Sequence, residues 1–185
     1  PVMISTAQPK FDPRQLRNGG YVLYFRHGSA ELGHDEKTSD FPEWWRTTDP
    51  NLTRQLDDHG WDQAYHLGQA IRDMDLKIDH VLCSEFRRAE DTALGMDLVE
   101  PEPIHDLTPL VYDGDLGERI EKHLNHRPEP GTNTVLVAHG HVTEKFSDID
   151  EGDAMVFEPS PEGSHYLGII DYEDWLMQEA HPQPA

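Results

Sequence analysis

Short apolar runs alternate with segments of helical periodicity along this chain of 185 residues. Residues 21–25 and 134–138 are continuously apolar over strand length, which predicts strands buried on both faces of a sheet. A shorter run at 81–84 predicts a third strand. Residues 154–158 and 166–171 flank a turn rich in proline and glycine, which predicts a hairpin.

Helical periodicity is clearest over residues 57–74, where acidic residues precede a stripe of apolar positions. The stripe consists of Trp61, Ala64, Tyr65, Leu67, Gly68, Ile71 and Met74. A second helix is predicted at 86–98 and a short one at 13–17. Strands alternating with helices predict an α/β fold, a three-layer α/β/α sandwich around a mostly parallel sheet. We expect one domain over 1–185, with its core at about 20–175 and polar extensions at both ends.

The charge balance restricts the partners of the chain. Asp and Glu number 36 against 15 Lys and Arg, a formal net charge of −21, which repels nucleic acid and anionic membranes. No apolar run approaches the roughly 20 residues of a membrane helix, so we expect a soluble protein without membrane insertion. The excess of acids slightly favours an exported protein over a cytoplasmic one. It does not decide between the two locations. Cys83 lies in an apolar run, which predicts an inert core residue.

Polar side chains follow three of the predicted strands. Arg26-His27-Gly28 ends the first, Ser84 with Arg87 and Arg88 ends the second, and His139-Gly140-His141 ends the third. Carboxyl ends of parallel strands meet at one edge of a sheet, where ligands bind. Because arginine forks match phosphate oxygens, these residues together predict an anion pocket.

Four motifs in this order resemble the histidine phosphatase superfamily, also called phosphoglycerate-mutase-like. They are Arg26-His27-Gly28, Leu52-Thr53 followed by Gly60 and Ala64, Ser84-x-x-x-Arg88-Ala89-x-x-Thr92-Ala93, and Val137-Ala138-His139-Gly140. The leucine, threonine and proline at 107–109 and the compact length resemble the small bacterial phosphohistidine-phosphatase-like branch. The resemblance implies the phosphoglycerate-mutase-like version of the α/β sandwich.

The resemblance also implies a phosphohistidine mechanism without metal or cofactor. His27 would attack phosphorus, while Arg26, Arg88 and His139 would hold the transferring phosphoryl group. Further phosphate contacts are expected from Gly28, Ser84 and Gly140, although Ser84 serves equally well as a helix cap. The implied partner is a small phosphorylated substrate or a phosphohistidine protein. Arg87, pointing away from Arg88 on the same helix, is expected to pair with a surface acid.

The acid that protonates the leaving group is the weak point of the match. Pro109 stands where family members acting on alkyl phosphates commonly place a glutamate. Either another carboxyl serves, or the substrate has a leaving group that needs no protonation. The candidate donors are Glu31, Asp35, Asp106 and Asp113.

Residues 29–51 form a long aromatic loop containing Phe41, Trp44 and Trp45. Such a loop either covers a site as a lid that helps to choose the substrate, or is anchored on the core by its aromatic side chains.

Two rival functions remain open. A metal-dependent hydrolase would use the histidines of the strand ends and their surroundings, namely His27, His34, His139 and His141. A phosphatase fold without an acid would instead bind a phosphorylated ligand and not turn it over.

Overall fold

The structure, a computed structural model, describes residues 8–180. Its strands are β1 (Val22–Arg26), β2 (Ile78–Ser84), β3 (Glu102–Ile104), β4 (Asn133–Ala138), β5 (Ala154–Glu158) and β6 (His165–Ile170). Its α-helices are α1 (Asp58–Asp73), α2 (Arg87–Gly95), α3 (Leu116–Leu124) and α4 (Tyr172–Ala180). Short 3-10 turns cover Pro13–Asn18, Trp44–Arg46, His105–Leu107 and Glu144–Phe146.

The six strands form one sheet in the order β3-β2-β4-β1-β5-β6. β3, β2, β4 and β1 run parallel to one another, whereas β5 is antiparallel to both β1 and β6. This arrangement confirms the α/β fold with a mostly parallel sheet. It also places the carboxyl ends of β1, β2 and β4 side by side.

Successive side chains of the central strands point to opposite faces of the sheet, so one apolar core lies on each face. Val135 and Val137 of β4 pack on one face with residues of α1, α2 and α4. Leu136 and Ala138 pack on the other face with residues of α3 and the hairpin. Burial on both faces explains why this strand is apolar at consecutive positions.

Helix α1 begins where the sequence predicts, because the Asp57 carboxylate caps it by accepting a hydrogen bond from Gly60 N at 2.8 Å. Its predicted apolar stripe is only partly correct. Leu67 and Ile71 are fully buried, but Trp61 and Tyr65 at the first turns are 42% and 56% exposed.

The structure adds three elements to those predicted from the sequence, namely β3, α3 and α4. In α3 the apolar residues Leu116, Ile120 and Leu124 recur at every fourth position among charged residues, a spacing that does indicate an amphipathic helix. Among the described residues, no helix is long and apolar enough to cross a membrane.

Candidate active site

Strand register brings together the polar groups that follow β1, β2 and β4. Arg26 pairs with Ala138, and Cys83 pairs with Val137, so the next residues in each strand project from the same edge. The rings of His27 and His139 consequently lie 5.3 Å apart between centroids. The predicted cluster of His27, Arg26, Arg88 and His139 is thus spatially contiguous around one cavity.

The cavity has a volume of about 400 Å³ and an uneven lining. Part of the lining consists of cations and imidazoles, and part consists of apolar side chains. The lining residues are Arg26, His27, Lys37, Arg54, Phe86, Arg88, Pro109, Leu110, Leu116, His139, Gly140, His141 and Val142.

His27 is held as a neutral imidazole with a defined tautomer. Its Nδ1 lies 2.7 Å from the carbonyl oxygen of Gly28, which can only accept, so Nδ1 carries the proton. Nε2 therefore keeps its lone pair and accepts from Arg88 Nε at 3.3 Å. Burial, and then the charge of Arg88, lower the pKa of His27 to about 3. A nitrogen nucleophile needs this unprotonated state.

Arg88 is fixed by a carboxylate on its far side. Both terminal guanidinium nitrogens donate to Asp35 at 3.1 Å, and both side chains are about nine-tenths buried. Asp35 also accepts from the Thr53 hydroxyl and from Arg54 N. The ion pair directs the Nε atom of Arg88 toward His27.

Arg26 is held by the segment that precedes β5. Its Nη1 donates to the carbonyl oxygen of Ile149 at 3.0 Å, and its Nη2 lies 3.8 Å from the Glu151 carboxylate. Glu151 also accepts a hydrogen bond from Ala30 N, so it ties Arg26 to the loop that follows His27. Gly140 leaves room for this arginine, because a Cβ there would lie 2.8 Å from Arg26 Cδ.

Two cations of the cavity were missed by the sequence analysis, Arg54 and Lys37. Arg54 follows the Leu52-Thr53 pair that was matched to the family, and its charge contributes to the lowered pKa of His27. Its Nε donates to the carbonyl oxygen of Glu31. The sequence does contain an indication of Arg54, because this cation adjoins a matched motif in a chain that has few cations.

His139 is also buried, and burial together with the charge of Arg88 lowers its pKa well below the ordinary value. Its Nε2 lies within hydrogen-bond distance, 2.8 Å, of Ser84 Oγ. The same Ser84 oxygen accepts from Phe86 N at 3.2 Å, just before α2. Ser84 therefore supports the start of α2 and orients His139, and it is absent from the cavity lining.

The turn at Gly28 is held by α1 and α2. A Cβ at Gly28 would lie 2.8 Å from the carbonyl oxygen of Gly60, so glycine is required by close packing of two backbones. Gly28 N donates to Thr92 Oγ1 at 3.1 Å. The close approach at Gly28 is to the backbone of Gly60, and Gly28 is absent from the cavity lining, so the expected contact of Gly28 with phosphate stays a prediction.

The four candidate proton donors lie in unlike surroundings, and none lines the cavity. Asp35 is committed to Arg88, whose charge and hydrogen bonds outweigh burial and lower the pKa of Asp35. Asp106 binds His123 and Lys122, which lower its pKa to about 2 against the opposing effect of burial. Glu31 and Asp113 are exposed.

Pro109 does line the cavity, as its alignment with the missing acid implies. Among the described residues that line this space, none carries a carboxyl group.

The aromatic loop is anchored on the protein body. Trp44 is buried edge-on against Phe86. Trp45 Nε1 donates to the buried Glu85 carboxylate at 3.2 Å, and the Tyr112 hydroxyl donates to the same group at 2.7 Å. Neither tryptophan lines the cavity, so the residue that this loop contributes to it is Lys37.

The structure brings together only some of the histidines that a metal-dependent hydrolase would use. His141 lines the cavity, but His34 is exposed and pairs with Glu36 at 2.7 Å. Within residues 8–180, no group of three or more His, Cys, Asp or Glu is arranged to hold a metal ion.

Cys83 is buried, which raises the pKa of its thiol to about 12. Arg87 pairs with Asp91 at 2.9 Å, away from the cavity.

Solved structures resemble this fold at low sequence identity. The protein histidine phosphatase SixA complexed with tungstate has a TM-score of 0.60 at 17% identity, covering 83% of this chain and 98% of that one. The α-ribazole phosphatase from Shigella flexneri has a TM-score of 0.55 at 16% identity, covering 82% and 96%. A phosphohistidine phosphatase SixA described as putative, from Agrobacterium tumefaciens, has a TM-score of 0.55 at 14% identity, covering 82% and 97%.

No curated protein matches this chain in sequence. The family model of the histidine phosphatase superfamily (branch 1), in contrast, matches residues 22–119. That span holds β1, α1, β2 and α2, and with them His27 and Arg88. The chain therefore belongs to the histidine phosphatase superfamily.

Proposed function

We propose that this protein hydrolyses phosphomonoesters or phosphoramidates through a phosphohistidine formed on His27. The observation that carries the proposal is the unprotonated Nε2 of His27, which faces Arg88 in a cavity that also holds Arg26, Arg54 and Lys37. Fixed positive charge around a phosphoryl group, with a nucleophile already in place, is what phosphoryl transfer requires. The protein as a whole is strongly acidic, so this local concentration of cations calls for an anionic ligand.

In the first step, His27 Nε2 forms a bond to phosphorus as the bond from phosphorus to the leaving group breaks. The proton on Nδ1 stays hydrogen-bonded to the Gly28 carbonyl, which stabilises the positive charge that develops on the ring. Arg26, Arg88 and His139 hold the phosphoryl oxygens. In the second step, water attacks phosphorus, Nε2 leaves with its electron pair, and the proton of the water passes to bulk solvent or to the phosphate.

The leaving group takes its proton from solvent, because no lining residue among those described offers a carboxyl. General acid catalysis contributes roughly 10²- to 10⁴-fold, most where the leaving group is poor. Good leaving groups, such as the imidazole of phosphohistidine or a phenolate, therefore suit this site best. One relative in fold is named a protein histidine phosphatase and another an α-ribazole phosphatase.

A second candidate function is binding of a phosphorylated ligand without turnover. It is favoured by the engagement of both terminal nitrogens of Arg88 with Asp35, which leaves only Nε facing His27.

The test is hydrolysis of para-nitrophenyl phosphate, a phosphohistidine peptide and a sugar phosphate, with and without EDTA. We expect release of phosphate that persists in EDTA, is lost in His27→Ala and is retained in the control His80→Ala, which alters an exposed histidine. Binding of vanadate without hydrolysis of any substrate would favour the binding function. Activity abolished by EDTA would favour a metal-dependent hydrolase.

A further inference from the structure

The cavity is larger than a phosphoryl group needs, and its lining is of two kinds. Lys37 adds a cation to those of the arginines. The apolar part of the lining consists of Phe86, Pro109, Leu110, Leu116 and Val142. A phosphoryl group bound at His27 fills only part of the cavity, so the rest of the cavity contacts the remainder of the substrate.

Lys37 differs from most cations of this protein in having no acidic partner. Among the described residues, nine other Lys and Arg side chains form ion pairs: Lys10, Arg14, Arg26, Arg46, Lys77, Arg87, Arg88, Lys122 and Lys145. Lys37 forms none, although Asp35 and Glu36 adjoin it, because these acids bind Arg88 and His34 instead. With 36 acids in the chain, a lysine left unpaired at a cavity is free for an anion brought by a ligand.

The backbone around Lys37 is fixed by neighbouring contacts. Asp35 is clamped on Arg88, and Glu36 N donates to the carbonyl oxygen of Leu52 at 2.8 Å. Lys37 N donates to the carbonyl oxygen of Asp35 at 2.9 Å, closing a tight turn. The ammonium group is therefore attached to a segment whose place relative to the phosphoryl site is defined.

The apolar part of the lining contains a strained and exposed residue. Leu110 has a φ of 72° and is 63% exposed. A left-handed conformation is strained for a non-glycine residue, and such strain concentrates at sites of function. An apolar side chain held in this way at the rim is available to pack against a ligand.

From these two kinds of lining residue we infer that the substrate is a phosphorylated compound whose leaving group has an apolar body and a second anionic group, a carboxylate or phosphate. Lys37 binds the second anion, and Leu110 packs against the apolar body. This inference rests on the proposed function for the position of the phosphoryl group. It adds that Lys37 and Leu110 determine specificity.

The first test measures binding of inert phosphonates by calorimetry, so it does not depend on turnover. Phenylphosphonate is compared with its ortho-, meta- and para-carboxy derivatives. We expect at least one derivative to bind about fivefold more tightly than phenylphosphonate, in line with a partly exposed ion pair. Lys37→Ala abolishes this preference, Lys37→Arg restores it, and Lys77→Ala, which removes a lysine paired with Asp75 on the surface, retains it.

A preference that is equal in Lys37→Ala and Lys77→Ala would overturn the role of Lys37, and so would the absence of any preference in the unaltered protein. Neither result bears on catalysis by His27, which the hydrolysis test decides separately. Conversely, a protein that shows the preference but hydrolyses nothing would retain this inference as a property of a binding site and lose the proposed function.

The second test concerns Leu110. Leu110→Gly removes the side chain and relieves the left-handed strain, so we expect the melting temperature to be maintained or raised. The affinity for phenylphosphonate relative to methylphosphonate falls several-fold, because an apolar contact is lost. An unchanged ratio in a folded variant would show that the ring does not lie against Leu110.

Discussion

At the scale of single residues, the chemical character of His27 arises from burial combined with one hydrogen bond. Burial is the largest cause of its low pKa, and the charges of Arg88 and Arg26 add to it. The hydrogen bond from Nδ1 to the Gly28 carbonyl then decides which nitrogen is free. Both effects depend on the fold, so neither could be obtained from the order of residues alone.

Arg88 and Arg87 are adjacent residues with different environments, which makes them a matched pair. Arg88 is buried against His27, whereas Arg87 is 30% exposed and pairs with Asp91. We expect Arg88→Ala to weaken vanadate binding by at least tenfold, because a charge-assisted contact to the anion is lost. Arg87→Ala changes it less than twofold. Equal losses, measured by titration of vanadate, would contradict the assignment of Arg88.

Asp35 is expected to position Arg88 and not to donate a proton. Asp35→Asn keeps an oxygen that can accept from Thr53 and Arg54, so the variant tests the acid role with little change in shape. Loss of a general acid would slow alkyl phosphates by a further 10²- to 10⁴-fold relative to aryl phosphates. We expect the ratio of kcat/KM for aryl and alkyl substrates to stay within about threefold. A selective loss of alkyl hydrolysis would identify Asp35 as the acid.

At the scale of elements, the sheet register assembles the site. Each of β1, β2 and β4 ends at the same edge, and its next residues supply the polar groups. This much was predictable, since short apolar runs that end in Arg26-His27 or His139 mark both the strands and their chemistry. Lys37 has no such signal, because it reaches the cavity from an irregular loop that has no periodicity to place it.

A buried hydroxyl links the turn that follows β1 to α2. Thr92 Oγ1 accepts from Gly28 N and donates to the Arg88 carbonyl, and it is fully buried. Thr92→Val leaves the Gly28 N–H without its partner, which costs about 1–3 kcal/mol. We expect this loss of unfolding free energy in denaturant titrations, with a lower kcat. Thr92→Ser, which retains the hydroxyl, is expected to recover most of both, and a Val variant as stable as the Ser variant would contradict the role.

At the scale of the whole molecule, the burial of one carboxyl group, that of Asp153, makes stability dependent on pH. Burial raises the pKa of Asp153 to about 6 from an ordinary 3.8, while its carboxylate accepts from Tyr172 N. The folded state thus resists ionisation of this group. The resulting loss of folding stability is absent below the ordinary pKa of Asp and complete above the raised pKa of Asp153.

Asp153→Asn removes that cost and keeps an acceptor for Tyr172 N. We expect it to raise the free energy of unfolding by about 1–2 kcal/mol at neutral pH, with no gain below the ordinary pKa of Asp. Asp171→Asn is the matched control of opposite sign, because Asp171 pairs with Lys10 and its pKa is lowered. Denaturant titrations across pH measure both. Destabilisation by Asp153→Asn at neutral pH would contradict this account.

The central claim is that His27 Nε2 carries the phosphoryl group during turnover. The most direct measurement is rapid quenching of the reaction at alkaline pH, where phosphohistidine survives. Mass spectrometry of the peptide that contains His27 then detects the adduct. We predict a phosphoryl group on His27 that forms and decays at rates that account for kcat, and none in His27→Ala. Turnover without this adduct, or with the adduct on another histidine, would contradict the account.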